Sequence, residues 1–371
     1  MKAGSHTHQL LQLLAVSTEF PAASLHLLGS MRSIKDLVHR LESVQDIRFP
    51  SSDAVYQTKL LSVNGYRDKR NIRLSKNALP LLDELYPGAL EYYLRVSQNH
   101  QFSSGHYHVG RNHRVGEAIA MAMMAGLEFR PYALPQLRKG VIRRVIPANP
   151  SFYIARDIKG NECDNTDKTV FTRIVGMVFY PGGCHTVYNT RDAVMKWSGK
   201  GEYKAAYHFS ELARCNAGLR DVHSALLLGN DPNIALQTIM ESDKAQKKPM
   251  RFDSIYHRIH FLPLNSNGTR LLQILTLQDW NERILDTLFE TEQRQTGVME
   301  YDACINGAFV FSYLDGDLAR LIRFRNGLRT ETKRQLEVLC YPWQCEFLRS
   351  YLGDRVILKT MSMEVLYNAI Q

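Results

Sequence analysis

Residues 7–41 read THQLLQLLAVSTEFPAASLHLLGSMRSIKDLVHRL, and the spacing of their apolar and basic side chains decides the N-terminal fold. Thr7 can cap a first helix whose Leu10, Leu11, Leu13 and Leu14 share one face. That helix ends around Ser17–Phe20. Pro21 suits the first turn of a short second helix, Ala22–Leu28, with Leu25 and Leu28 turned inward. Gly29 allows a tight turn, and Ser30 or Ser33 can cap a third helix. There Ile34, Leu37, Val38 and Leu41 recur at i, i+3, i+4 and i+7, the pattern of a buried face. The opposite face carries Arg32, Ser33, Lys35, Asp36, His39 and Arg40. Helix, short helix, glycine turn and basic helix is the order of a helix-turn-helix, whose last helix meets base edges in the major groove.

Downstream, Val55–Val63 (VYQTKLLSV) is rich in β-formers. Asn64-Gly65 favours a tight hairpin, because both residues tolerate positive φ. Arg70–Leu74 supplies the return strand. The hairpin reads as a wing: Lys59, Arg67, Lys69, Arg70, Arg73 and Lys76 stand against one acid, Asp68. Such a hairpin suits phosphate or minor-groove contact. Ser75 then opens a closing helix, Leu79–Leu85, with Pro80 near its start. Residues 1–86 therefore read as a winged helix-turn-helix, with the basic positions of the third helix and of the wing as its DNA-binding set. The charge agrees: residues 1–150 hold 19 Lys and Arg against 11 Asp and Glu, whereas the remainder holds 27 against 26. Neutralising phosphates supplies most non-specific affinity for nucleic acid, so the excess points to a polyanion partner for the N-terminal part.

The run HQLLQLLAVSTEFPAASLHLLGSMRSIKDLVHRLES, followed by NGYRDKRNIRLSKNALPLLDEL, resembles the winged-helix region of replication-relaxation proteins of bacterial plasmids and integrative elements. The phrase IRLSKNALPLL is the most family-like piece. The resemblance covers the first quarter to third of the chain. It implies DNA binding, and a part in replication, relaxation or transcription of a mobile element. No paired-histidine motif accompanies a catalytic tyrosine, so the resemblance implies an accessory or regulatory protein rather than a nicking enzyme.

Residues 87–150 read as a helical linker region, with helices at Leu90–Val96 and Arg111–Ala125 and a basic stretch, Gln136–Pro150. His100, His106, His108 and His113 match no metal-ligand spacing and read as a polar loop. Residues 151–371 alternate strand-like and helical segments, which predicts an α/β or α+β domain with a partly parallel sheet. Phe152–Ile158 reads as its first strand. The glycine motifs of nucleotide binding and of the hydrolase elbow are missing. Asp192, followed by Glu202 and Lys204, resembles the acid and E-x-K of metal-dependent nucleases. Glu202 is equally explained as the acidic first turn of a helix. Asp315 and Asp317 in LDGD read as a tight turn after a strand, His257 and His260 as structural, and Phe252, Tyr256, Trp280, Phe289 and Trp343 as core.

Six cysteines without a CxxC pair argue against a disulfide framework or zinc ribbon and for free thiols. No stretch is long and apolar enough for a membrane span, and the N-terminus lacks a signal-peptide pattern, so the protein reads as cytoplasmic. The expectation is a non-enzymatic, sequence-specific reader of double-stranded DNA, needing no cofactor or metal. It would be a homodimer with residues 151–371 serving assembly or a replication or transfer partner. The alternatives are a Mg²⁺-dependent nuclease recruited by the winged helix, and a protein-binding adaptor.

Overall fold

In a computed structural model, described for residues 4–48, 55–102, 106–135, 149–159, 174–195, 200–219, 221–244, 252–329 and 334–371, the chain is a mixed α/β protein. It divides into two compact units, residues 1–136 with 151–161, and residues 137–150 with 162–371.

The first unit opens with α1 (His6–Ser17) and β1 (Glu19–Pro21). Ser5 rather than Thr7 caps α1, its hydroxyl accepting from the His8 amide at 3.3 Å. Leu10, Leu11, Leu13 and Leu14 are buried as their spacing predicts. Ala22–Leu28 is a 3₁₀ helix, Gly29 takes φ +136°, and α2 (Met31–Glu42) follows with Ile34, Leu37, Val38 and Leu41 inside. The β-rich run splits in two. One part, β3 (Val55–Thr58), pairs antiparallel with β2 (Gln45–Arg48); the other, β4 (Leu61–Asn64), pairs with β5 (Asn71–Leu74). The break falls where Leu60 and Leu61 are both buried, which a single strand cannot achieve on one face. The Leu60 amide bonds the Leu41 carbonyl at 2.9 Å, and the Leu60 carbonyl accepts from the Ser75 amide at 2.8 Å. β1 joins the far side of β5, so the sheet order is β1-β5-β4.

A 3₁₀ turn at Lys76–Ala78 leads into α3 (Leu79–Leu85), then α4 (Ala89–Val96) and α5 (His106–Met124). Residues 87–135 are part of this unit and not a separate linker region. Gly116 lets α5 press on β1: a Cβ there would lie 3.3 Å from the Glu19 carbonyl oxygen. Ser24 donates to the buried Glu117 at 2.6 Å, and buried His113 bonds Asn71. The expected polar loop of histidines is thus partly the helix α5. Phe152–Ile158 is a short strand, β6 (Ser151–Ile154), followed by a helix, α6 (Ala155–Lys159). Its turn is held by Tyr92, which donates to Asp157 at 2.8 Å and accepts from Arg156 at 3.2 Å. The basic stretch at residues 136–148 lies outside the described residues.

The second unit holds two sheets. In the first, β7 (Ile174–Tyr180) and β8 (Gly183–Arg191) form a hairpin. Helix α7 (Lys200–Ala217) leads to β9 (Asp221–Gly229); α8 (Pro232–Lys244) and α9 (Phe252–Ile255) lead to β10 (Arg258–Pro263). β8, β9 and β10 are parallel. Two helices, α10 (Ser266–Leu275) and α11 (Trp280–Leu288), precede the second sheet. There β11 (Ala303–Ile305) pairs antiparallel with β12 (Ala308–Ser312). β12, β13 (Leu336–Cys340) and β14 (Ile357–Thr360) are parallel, crossed by α12 (Leu318–Gly327) and α13 (Cys345–Leu352), and α14 (Met363–Ile370) closes the chain. Helical crossovers between neighbouring parallel strands explain the buried apolar runs of β9, β10 and β12, whereas β14 is largely exposed.

The LDGD turn joins the two sheets. The Gly316 carbonyl accepts from the Phe261 amide at 2.9 Å, and the Asp317 carboxylate accepts from the Ile259 amide at 3.0 Å while capping α12. Asp315 and Asp317 are a buried clasp on β10, beside His260, whose Nδ1 lies 2.9 Å from the Asp315 carbonyl oxygen. Burial pushes the Asp315 carboxyl up, opposed by His260 and Arg320 nearby. Phe252, Tyr256, Trp280 and Phe289 are buried as expected, and Trp343 is half-buried.

Candidate nucleic-acid interface

Helix α2 is amphipathic in the strict sense: its four apolar positions are buried, and Arg32, Ser33, Lys35, Asp36, His39 and Arg40 are all exposed on the other side. His39 and Arg40 lie in the last turn, where positive side chains are favoured by the carbonyl end of the helix. At that end Glu42 accepts from the Val63 amide of β4 at 3.2 Å, and the Leu41 carbonyl binds Leu60. These bonds hold the basic helix to the root of the β4–β5 hairpin.

The hairpin differs from the two-residue turn that Asn64-Gly65 predicts. Asn64 pairs with Asn71, leaving a six-residue loop, 65–70, with a 3₁₀ turn at Arg67–Lys69. Gly65 takes φ +97°, and a Cβ there would fall 2.5 Å from the Lys69 carbonyl oxygen. The tighter packing of the loop tip turns Tyr66 outward, 73% exposed, with the Arg67 guanidinium 5.0 Å from its ring centre. Tyr66 is an addition to the sequence reading; its position between glycine and arginine at a hairpin tip was the available signal.

Between α2 and the hairpin runs a cleft of about 470 Å³, with Lys35 and His39 on one wall and Arg70 on the other. A second cleft of about 480 Å³ is rimmed by Arg40 in the last turn of α2 and by Arg48 of the β2–β3 hairpin. Lys59, Arg67, Lys69, Arg70 and Lys76 are exposed, as are Arg32, Lys35 and Arg40. None of these eight cations is in an ion pair among the described residues. Lys35 and Arg70 face one cleft from opposite walls, an arrangement a phosphate backbone would neutralise.

Arg73 departs from this set. Its guanidinium binds Glu19 through Nη2 at 2.7 Å and Nε at 3.0 Å, and stacks 4.1 Å from the Phe102 ring centre. Glu19 is 1% exposed and also accepts from Asn112 at 2.9 Å. Arg73 therefore neutralises a buried carboxylate across β1 and β5, and its charge is spent inside the unit. The alternation of a short strand placed it beside Arg70 in sequence; only the β1–β5 pairing, Glu19 opposite Arg73, shows its partner. Nearby, burial and then the charges of Lys76 and Arg73 hold the His100 ring below its ordinary range, so it adds no positive charge at neutral pH.

Two of the three expected nuclease residues have described side chains. Asp192 follows the carboxyl end of β8 and accepts from Asn230 at 2.6 Å. Lys204 is exposed on α7; the Glu202 side chain lies outside what is described. Among the described residues no three His, Cys, Asp or Glu side chains converge as metal ligands would. No helix among them is long and apolar enough to cross a membrane. No protein family matches the chain, and comparison with curated proteins and with solved structures returned no match.

Proposed function

We propose that residues 5–86 are a winged helix-turn-helix that reads duplex DNA, with α2 entering the major groove and the β4–β5 hairpin as the wing. The observation that carries this reading is the cleft between α2 and the hairpin, which has exposed Lys35 on one wall and exposed Arg70 on the other. The element order supports it: α1, β1, a short 3₁₀ helix, a glycine turn and a basic helix, then the β2–β3 hairpin and the β4–β5 hairpin, whose return strand pairs with β1. Arg32, Ser33, Lys35, His39 and Arg40 are assigned to base and groove contact. Lys59, Arg67, Lys69, Arg70 and Lys76 are assigned to phosphates. In this reading the protein is a binding factor and not an enzyme. It serves a mobile element as a regulator or replication accessory, and binds as a homodimer on paired half-sites.

Selection of bound fragments from random duplex DNA with the full chain should enrich a defined sequence. On that sequence Arg32→Ala, Lys35→Ala or Arg40→Ala should each cost about 1–3 kcal/mol and relax base preference. A selection that enriches nothing, or three variants that bind like the parent, would refute the assignment.

A further inference from the structure

Among the described residues, two cysteines stand apart from the other thiols. Cys340 ends β13 and Cys345 begins α13, with a single 3₁₀ turn, Pro342–Gln344, between them. Their Sγ atoms are 3.7 Å apart. Cys184 is buried, Cys215 is exposed beside Glu211, and Cys304 lies beside Arg334; none of these faces another thiol. Cys163 lies outside the described residues.

We propose that Cys340 and Cys345 are a site of reversible oxidation, at which hydrogen peroxide converts the pair to a disulfide. A disulfide brings the sulfurs to roughly 2.0 Å, so each must move by less than about 1 Å, within reach of side-chain rotation. Cys345 is half-buried and Cys340 is buried, so the peroxide meets Cys345 first. Its thiolate attacks one peroxide oxygen, breaking the O–O bond; it becomes a sulfenic acid, and the departing hydroxide takes a proton to form water. The Cys340 thiol, losing its proton, then attacks the sulfenic sulfur. The S–S bond forms and hydroxide leaves, collecting that proton as a second water. Two thiols and one peroxide give one disulfide and two waters. Burial, and then the neighbouring Cys345, push the Cys340 thiol up to about 12, which suits Cys340 to the resolving step against a sulfur already in contact rather than to first attack. The bond ties the carboxyl end of a parallel strand to the first turn of the helix after it. Among the described residues the two thiols have no third ligand, and Cys345 also meets the Tyr341 carbonyl oxygen at 3.8 Å, which favours oxidation over a metal centre.

The tryptic peptide Gln335–Arg349 contains both cysteines and no internal Lys or Arg, so one fragment reports the pair. The reduced full chain is treated with hydrogen peroxide, then catalase, and its thiols are alkylated with iodoacetamide in denaturant. The expected peptide is unalkylated and lighter than the reduced form by two hydrogens. Dithiothreitol before alkylation should restore the doubly alkylated form. In Cys340→Ser, Cys345 should instead be captured by dimedone as a sulfenic acid. The proposal is overturned if both thiols of the peptide are still alkylated at a dose that has oxidised Cys215. It is overturned equally by sulfinic or sulfonic products without the lighter peptide, or by crosslinks from either thiol to other peptides.

Discussion

Replacing Arg73 by alanine separates a structural cation from the exposed cations that flank it in sequence. The guanidinium is 17% exposed and bonds Glu19, itself 1% exposed, at 2.7 Å. Without it the Glu19 carboxylate keeps one donor, Asn112, in a place water does not reach. Breaking a buried ion pair by removing one partner costs about 3–5 kcal/mol, mostly from the charge left behind. The Phe102 stack is lost as well. Against a typical domain stability of about 5–15 kcal/mol, this is a large share. The cost is local, because Arg73 and Glu19 tie β5 to β1. Hydrogen exchange of peptides spanning 17–24 and 70–76 in the full chain therefore reads it directly, as protection lost by roughly two to three and a half orders of magnitude, at about 1.4 kcal/mol per factor of ten. Adding Glu19→Gln should recover most of the protection, since a neutral amide needs no counter-charge. If Arg73→Ala left exchange unchanged and instead weakened DNA binding, Arg73 would belong to the interface and the buried-pair reasoning would fail.

By contrast, Lys69→Ala with Arg70→Ala should lower the slope of log affinity against log salt by about 1.8, as expected for two phosphate contacts, with β1 and β5 protection unchanged; an unchanged slope would take the hairpin away from the phosphates. His185, fully buried, accepts at Nδ1 from Ser224 at 2.8 Å and donates from Nε2 to the Leu275 carbonyl at 3.2 Å, and burial, then His260, lower it to about 3. Below about pH 6.5 the unfolded chain takes a proton that the folded chain refuses, so stability falls with pH through that window by about 1.4 kcal/mol per unit until near pH 3. Chemical unfolding of the parent and His185→Gln at pH 7 and pH 5 should show the variant losing about 2 kcal/mol less, and parallel losses would place the proton elsewhere. A Cβ on Gly268 would fall 1.9 Å from the Pro263 carbonyl oxygen, so Gly268→Ala should push α10 off the end of β10 and cost 3 kcal/mol or more in urea unfolding, about the upper range for overpacking; a wild-type midpoint would mean that the close approach is absent.

What the sequence by itself determined is local periodicity. Ile34, Leu37, Val38 and Leu41 had to be one face of a helix, and Arg32, Lys35, His39 and Arg40 the other, because 3.6 residues per turn leaves no second arrangement. The same logic made Leu10, Leu11, Leu13 and Leu14 the buried face of a helix. The tertiary structure decided everything that depends on a partner far along the chain. Two Asn-Gly dipeptides show this. Asn306-Gly307, with both φ positive, is the two-residue turn between Ile305 and Ala308. Asn64-Gly65 is the start of a six-residue loop, because β5 is registered by β1 on its other edge as well as by β4. Residues 111–125 read as a helix with no assigned place; Glu117, Asn112 and His113 find Ser24, Glu19 and Asn71 only once the sheet exists. Asp315 and Asp317 look like an exposed turn until β10 arrives to bury them. Arg73 and Arg70 carry the same charge three residues apart, and nothing local distinguishes them. Strand pairing puts a buried carboxylate beside one and open solvent beside the other, and the cost of leaving that carboxylate unpaired fixes which arginine is held inside the unit.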